Sequence, residues 1–277
     1  MIKAITLDID GTLTNDDKEI SPRTKAALLA AQMNGVRLIL ATGRPAKGTE
    51  RYVQELAMDQ HHGLVVAFNG SQVIDCQTQQ VIYNRAMTVI QSKAILNHAK
   101  SFEVMPMVAL GDYLYVNDVY HNLLHLPTED RNIIEYEARN DRLQLCEQPD
   151  LAAFVSEPIN KILLAGQPEY LRANSAAIAA PFAHDLNAMF TADFYFEFTN
   201  LGVDKGTALA HLLPKIGLTA SELIAFGDDE NDLAMLNFAG IGVAMANSKE
   251  KIRLAADEVT LTNNNDGIVA SLAKYLD

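Results

Sequence analysis

The residues able to do chemistry fall in four short clusters: Asp8 with Asp10, Thr42 to Arg44, Lys205, and Asp228 with Asn231 and Asp232. Paired carboxylates call for a cation, and Mg2+ is a hard ion that takes oxygen ligands. Mg2+ between Asp8 and Asp228 would relieve a repulsion that otherwise pushes a carboxyl pKa upward. Lys205 would bring a point charge to a phosphate, and the Thr42 hydroxyl and nearby backbone N–H groups would donate further hydrogen bonds. Phosphoryl transfer needs mainly positioning and charge neutralisation. Asp8 then suits a nucleophile that forms an aspartyl phosphate. Asp10, expected to point the same way while its strand persists, suits the acid that protonates the leaving oxygen and the base that activates water.

Each cluster alone has a plainer reading. Asp10-Gly11 fits a polar turn, and Thr42 to Pro45 a strand-to-helix turn capped by Thr42. Lys205 fits a solvated helix start and Arg44 a surface cation. Asp229 and Glu230 suit the dipole of the helix they precede. What argues for a site is the set: four acids between Asp228 and Asp232 repel one another unless a cation intervenes.

These clusters need elements that bring them together. Ile2, Ala4, Ile5 and Leu7 form a short apolar run of the kind a buried parallel strand requires. Ser21 and Pro22 open a helix whose Ala26, Leu29, Ala30 and Met33 share a face, with Gly35 placed to end it. Val36–Ala41 is a second strand. Helix 45–58 and strand 63–68 follow, then a hairpin of 72–75 with 81–83. Strand, helix and strand in succession is the pattern of a parallel sheet, and ligands bind where such strands exit. From residue 84 to 193 the pattern changes to period-two alternation and a Gly111-Asp112 hairpin signal. Helices are expected at 88–102, 129–138 and 168–181 and strands at 104–110, 113–117, 159–165, 186–192 and 194–198. Residues 117–149 show little period. Met105, Met107, Met189 and Phe190 read as core. The parallel pattern returns with a helix at 204–215, cut or kinked at Pro214, and strands at 223–226 and 240–244. The expected fold is α/β: a parallel-sheet core (1–83 and 194–277) with an inserted α+β domain (84–193).

The chain has 277 residues, 49% hydrophobic and 21% charged, enough to bury a core. A net charge of -13 has the wrong sign for binding a phosphate backbone, so nucleic acid is not an expected partner. Its two cysteines, Cys76 and Cys146, have no metal-ligand spacing. His121 and His125 are four apart but read as solvent-facing. No apolar run reaches about 18 residues, so no membrane span is expected. The strand begins at once, leaving no room for a signal peptide, so the expected location is cytoplasmic.

The order of four motifs carries a family resemblance: D-I-D-G-T-L at Asp8–Leu13, A-T-G-R at Ala41–Arg44, V-D-K-G at Val203–Gly206 and G-D-D-E-N-D at Gly227–Asp232. Together they resemble the motifs of the haloacid dehalogenase-like hydrolases. F-N-G at Phe68–Gly70, with the long insert after it, resembles the Cof-type subfamily and its C2B-type cap. The resemblance implies a Rossmann-like parallel-sheet core, a Mg2+-dependent phosphatase acting on small phosphorylated metabolites, sugar phosphates first, and a cap that selects the substrate. It implies that Asp8 is nucleophile and metal ligand, that Asp10 is acid/base and binds metal through its carbonyl, and that Asp228 is the third protein ligand. Thr42, Gly43, Lys205 and Asn231 would bind phosphate. Asp232 would orient the lysine or a metal-bound water, and Arg44 and Asn69 would support the site. Thr14, where the family often has an apolar residue, and Pro214 are mild departures. Alternatives are a phosphotransferase or phosphomutase using the same intermediate, and a non-catalytic phosphometabolite sensor. The expected assembly is a monomer or weak homo-oligomer.

Overall fold

The computed structural model describes residues 1–120, 122–127 and 129–276. By internal contacts the chain forms two units, Met1–Asn84 with Asp204–Asp277, and Arg85–Val203.

The first unit is built on an eight-stranded sheet. Its spatial order is Glu258–Val259, Ile241–Ala244, Leu223–Gly227, Ala4–Leu7, Arg37–Ala41, Leu64–Ala67, Gln72–Asp75 and Val81–Asn84. The first six strands run parallel and the last two add antiparallel as a hairpin. Ala4–Leu7 lies in the middle and is wholly buried, as its unbroken apolar run requires. Leu7 pairs with Phe226 on one side and Leu40 on the other. That register places Asp8, Thr42 and Asp228, each just past its strand, at one end of the sheet. The helix Lys205–Leu212 begins with Asp204 as N-cap, whose carboxylate accepts from Thr207 N at 2.6 Å.

The helix Pro22–Met33 opens at Ser21, which caps Thr24 N, and Gly35 at φ 83 follows its end. Its buried face is not the expected one. Thr24, Leu28, Ala31 and Gln32 point inward, whereas Ala26, Ala30 and Met33 are exposed. Gln32 lies inside with its amide nitrogen donating to the Leu56 carbonyl at 2.7 Å, while its Oε1 is buried and accepts from no described residue. The expected single helix 45–58 is a 3-10 turn, Ala46–Thr49, followed by a short helix, Glu50–Glu55, which Ala57 ends at φ 50. Gly48 weakens the continuous α-helix. Pro214 acts as expected: the α-helix stops at Leu212 and a 3-10 turn, Leu213–Ile216, follows.

The second unit has a six-stranded sheet in the order Gln144–Glu147, Tyr113–Val116, Met105–Leu110, Ile162–Ala165, Tyr195–Asn200 and Leu186–Ala192. Only the pairing of Gln144–Glu147 with Tyr113–Val116 is parallel. The boundary expected after residue 193 moves to Val203, because Tyr195–Asn200 pairs with Leu186–Ala192 and Ile162–Ala165 rather than with the first sheet. The region without clear period contains a small hairpin (Leu123–His125 with Asp130–Asn132), a helix at Ile133–Asp141 and an edge strand at Gln144–Glu147. Asn132 caps that helix, so it starts later than expected at 129. Met107 is buried, Met105 and Met189 are half-buried, and Phe190 is exposed against Phe196 on an edge strand. His121 lies outside the described residues; His125 is exposed and pairs with Asp130 at 2.8 Å. No described helix is long and apolar enough to cross a membrane.

Candidate active site

The expected clusters meet within the first unit. Lys205 is fully buried, so the reading of a solvated helix start fails. Its Nζ donates to Asp8 Oδ1 and to Asp232 Oδ1, each at 2.6 Å. Burial works against the ammonium, but Asp232 and Asp8 outweigh it and raise its pKa. The Asp232 carboxylate also closes its own loop, accepting from Asp228 N at 2.9 Å and Asp229 N at 3.1 Å. Asp229 and Glu230 turn outward toward Lys249 and Lys251. The acid-rich segment is therefore divided, with only Asp228 and Asp232 facing the site.

Asp8, Asp228 and Asp232 hold carboxylate oxygens within 4.8 Å of one another. Three carboxylates against the Lys205 ammonium leave two negative charges, which matches a divalent cation. The oxygens are not equally available. Both of Asp232 are already acceptors, as above. Asp8 uses Oδ1 for Lys205, and Asp228 uses Oδ1 for Thr12 Oγ1 at 2.7 Å. Each of these two keeps a second oxygen that accepts from no described residue. Burial drives the Asp8 carboxyl well above its usual range, Lys205 opposing and Asp232 and Asp228 adding. Burial likewise pushes Asp228 up to about 6, the Thr12 hydrogen bond opposing and Asp232 adding. These are the strains a cation on the two open oxygens would relieve, so the donor set fits Mg2+.

Asp10 behaves differently from Asp8. The strand ends at Leu7, so the expected parallel orientation does not persist to residue 10. Arg44 grips the Asp10 carboxylate with two bonds, Nε to Oδ2 at 2.7 Å and Nη2 to Oδ1 at 2.8 Å. Lys18 Nζ adds a third at 2.9 Å. Burial favours a higher pKa for Asp10, but Arg44 and then Lys18 hold it well below the usual carboxylate range. Arg44 is buried, not the surface cation it could have been.

Local backbone explains how these groups reach one another. Gly11 takes φ 86, and a Cβ there would lie 2.4 Å from Asp228 Oδ2, so only glycine lets the first loop pass this carboxylate. Thr42 is buried, and its Oγ1 accepts from Arg44 N at 3.2 Å, which leaves its O–H to donate. Asn69, at φ 56, donates its N–H to the Thr42 carbonyl at 2.9 Å, and its side chain packs over Gly43. Asn231 Nδ2 donates to Asn69 Oδ1 at 3.1 Å. Thr14 is buried with its hydroxyl on the Ile9 carbonyl at 2.9 Å, which satisfies the polar group where an apolar residue was expected.

Three residues around the site had no assigned role in the sequence. Thr12 sits inside the first motif, and its partner lies 216 positions away. Lys18 lies on the turn after that motif. Asn247 donates from Nδ2 to the Gly11 carbonyl at 2.8 Å, and its own sequence carries no signal for this.

The family model described as haloacid dehalogenase-like hydrolase matches residues 5–272. A Bacteroides thetaiotaomicron haloacid dehalogenase-like hydrolase of known crystal structure is 30% identical, with 99% of each chain covered and a TM-score of 0.90. The 5-amino-6-(5-phospho-D-ribitylamino)uracil phosphatase YitU of Bacillus subtilis is 28% identical over 98% of this chain and 96% of its own. Phosphatase YwpJ of the same organism is 27% identical over 99% of this chain and 100% of its own.

Proposed function

Because the chain belongs to the haloacid dehalogenase-like hydrolases, we propose that it is a Mg2+-dependent phosphatase of small phosphomonoesters, sugar phosphates or related metabolites, working through an aspartyl phosphate on Asp8. The observation that carries the reading is the Lys205 ammonium seated between Asp8 and Asp232, with Asp228 beside them and two carboxylate oxygens left open. Asp8 and Asp228 would hold the metal, with the Asp10 carbonyl. Bound Mg2+ supplies positive charge to the phosphoryl oxygens.

The chain's own residues do the rest. Lys205, the Thr42 hydroxyl, the Gly43 N–H and Asn231 bind and orient the phosphate. The Asp8 carboxylate attacks phosphorus and the ester oxygen leaves with a proton from Asp10. Asp10 then takes a proton from water as it attacks the aspartyl phosphate, which frees Asp8 and inorganic phosphate. The Arg44 grip matters to both halves. While it holds, Asp10 carries no proton and is set to accept one; donation to the leaving oxygen requires that grip to loosen. Asp232 positions Lys205, and Asn69 positions Asn231.

We also assign the chain to the Cof-type group and give the unit Arg85–Val203 the role of a C2B-type cap, carrying residues that help choose the substrate. Small phosphorylated metabolites are then the partners, without nucleic acid or membrane, in a cytoplasmic monomer or weak homo-oligomer. The phosphoribityl-uracil named in the relative YitU is a small phosphate ester of this class. The test is p-nitrophenyl phosphate hydrolysis with Mg2+ and with chelator, followed by a panel of phosphorylated metabolites ranked by kcat/KM. Turnover that needs Mg2+ is expected. A folded protein inert toward every ester with Mg2+ present overturns the reading.

A further inference from the structure

Asp10 has more cation around it than it needs. Arg44 alone engages both of its oxygens. Lys18 nevertheless brings a second positive charge to Oδ1 at 2.9 Å. Lys18 is not buried: its side chain is 45% exposed, beside an Asp10 side chain that is 37% exposed. Of the three N–H groups of its ammonium, one points at Asp10, and no other described residue accepts from the rest.

The placement of Lys18 is built, not incidental. Its backbone sits at φ 64, a left-handed conformation that favours glycine or asparagine and costs a lysine about 1 kcal/mol. Such a conformation persists only where the surroundings fix it. Here Asn15 closes the turn: Asn15 N donates to the Glu19 carbonyl at 2.9 Å, Lys18 N to the Asn15 carbonyl at 3.0 Å, and Glu19 N to Asn15 Oδ1 at 2.9 Å. A distant segment then pins the turn. Asn264 Nδ2 donates to Asp16 Oδ2 at 2.9 Å and receives Asp16 N on Oδ1 at 3.1 Å. Asn263 Nδ2 donates to the Thr14 carbonyl at 3.0 Å and to Asp16 Oδ1 at 3.2 Å. A flexible side chain is thus delivered to the acid/base from a clamped, strained turn.

We propose that Lys18 is a specificity-determining residue that favours substrates whose leaving group carries an anionic substituent close to the ester oxygen. This rests on the phosphatase reading, since it takes Asp10 as the group that protonates that oxygen. Asp10 must come within about 2.6–3.2 Å of the leaving oxygen to do so. Lys18 touches the same carboxylate, so its ammonium stands about 6 Å from that oxygen, the reach of a carboxylate three bonds away. The phosphoryl group is served by Lys205, Thr42 and the metal. Lys18 is left for the other side of the scissile bond, where its open N–H groups pair with an anion and not with a neutral hydroxyl of the same shape.

The test uses 3-phosphoglycerate and glycerol 3-phosphate, which differ in a carboxylate against a hydroxymethyl group. The full-length protein with Mg2+ is assayed on both. If either is turned over too slowly to follow, both are measured as competitive inhibitors of p-nitrophenyl phosphate hydrolysis and the ratio is read from Ki. Wild type is expected to prefer the phosphoglycerate. Lys18→Gln lowers that preference by about fivefold, the scale of a solvent-exposed ion pair, with the loss in KM rather than kcat. Lys18→Arg restores it. Lys18→Gly, which suits the left-handed backbone, loses it as Gln does, so charge and not turn geometry is responsible. Added salt erodes the preference in wild type but not in Lys18→Gln. A wild type without preference, or a Lys18→Gln variant that keeps it, overturns the proposal. Absence of p-nitrophenyl phosphate hydrolysis in the wild type would instead strike at the phosphatase reading itself.

Discussion

Each unit buries a lysine among carboxylates, and the two centres differ in one decisive respect. In the first unit Lys205 joins Asp8 and Asp232 at the ends of parallel strands, where the neighbouring Asp228 and Asp8 still present open oxygens. In the second unit Lys161 donates to Glu197 at 2.8 Å, and Tyr195 donates to Glu137 at 2.9 Å. That pair lies where Tyr195–Asn200 and the helix Ile133–Asp141 enclose an apolar cluster that includes Leu163, Ile134 and Ala138. In both, burial opposes the ammonium and the carboxylates outweigh it, raising the lysine pKa. A buried lysine and its acids are therefore not themselves a site. The same pairing closes a core when apolar side chains surround it, and serves chemistry when it stands at a strand exit with coordination left over.

The comparison breaks if the two centres respond alike. The largest effect is expected from Asp8→Asn, which removes the nucleophile and lowers kcat by about ten-thousandfold or more, while Tm stays or rises because a carboxylate disfavoured by burial has been made neutral. Measurable activity near wild type would end the mechanism. Lys161→Met should do the reverse. It removes the buried cation that faces Glu197, Glu137 and Asp141 and costs about 3–5 kcal/mol, read as a fall in Tm of about 6–15 °C. An unchanged Tm would show that the second centre holds nothing together.

The third effect is a pH dependence. A carboxyl whose pKa is higher folded than unfolded favours folding only when protonated. Asp228 therefore weakens the metal-free fold as pH rises from 3.8 toward about 6. Mg2+ needs the ionised form, so as pH falls below about 6 its apparent affinity should fall about tenfold per pH unit. Mg2+ should accordingly raise Tm more at pH 7 than at pH 5; an equal rise at both would remove Asp228 from the metal site. The smallest effect is expected from Thr12→Val, which deletes one hydrogen bond to Asp228. It should raise the half-saturating Mg2+ concentration about fivefold, the scale of a single net hydrogen bond.

Much of this was legible in the chain itself. An apolar run ending in two carboxylates has few explanations, and three such polar exits in order, with a lysine at a helix start, made a parallel sheet with a shared end the economical one. What stayed hidden depended on distant partners. The burial of Lys205 follows from acids 27 and 197 positions away, so its own neighbourhood reads as an ordinary helix start. Tyr195–Asn200 is apolar enough for either sheet, and only its pairing with Leu186–Ala192 decides between them. The inward face of Pro22–Met33 was misread because a backbone carbonyl distant in the chain, that of Leu56, accepts from the buried Gln32 amide. Asp10 was placed with Asp8 because alternation was carried past Leu7, where the strand has already ended.

The middle position of Ala4–Leu7 has a consequence for how the protein is made. One long edge of this first strand is completed only by Leu223–Gly227, so the ribosome must translate the entire second unit before that edge is closed. Through that interval the nascent chain carries an apolar strand with unpaired amides and carbonyls on one side, a surface to which another nascent chain or a chaperone can add.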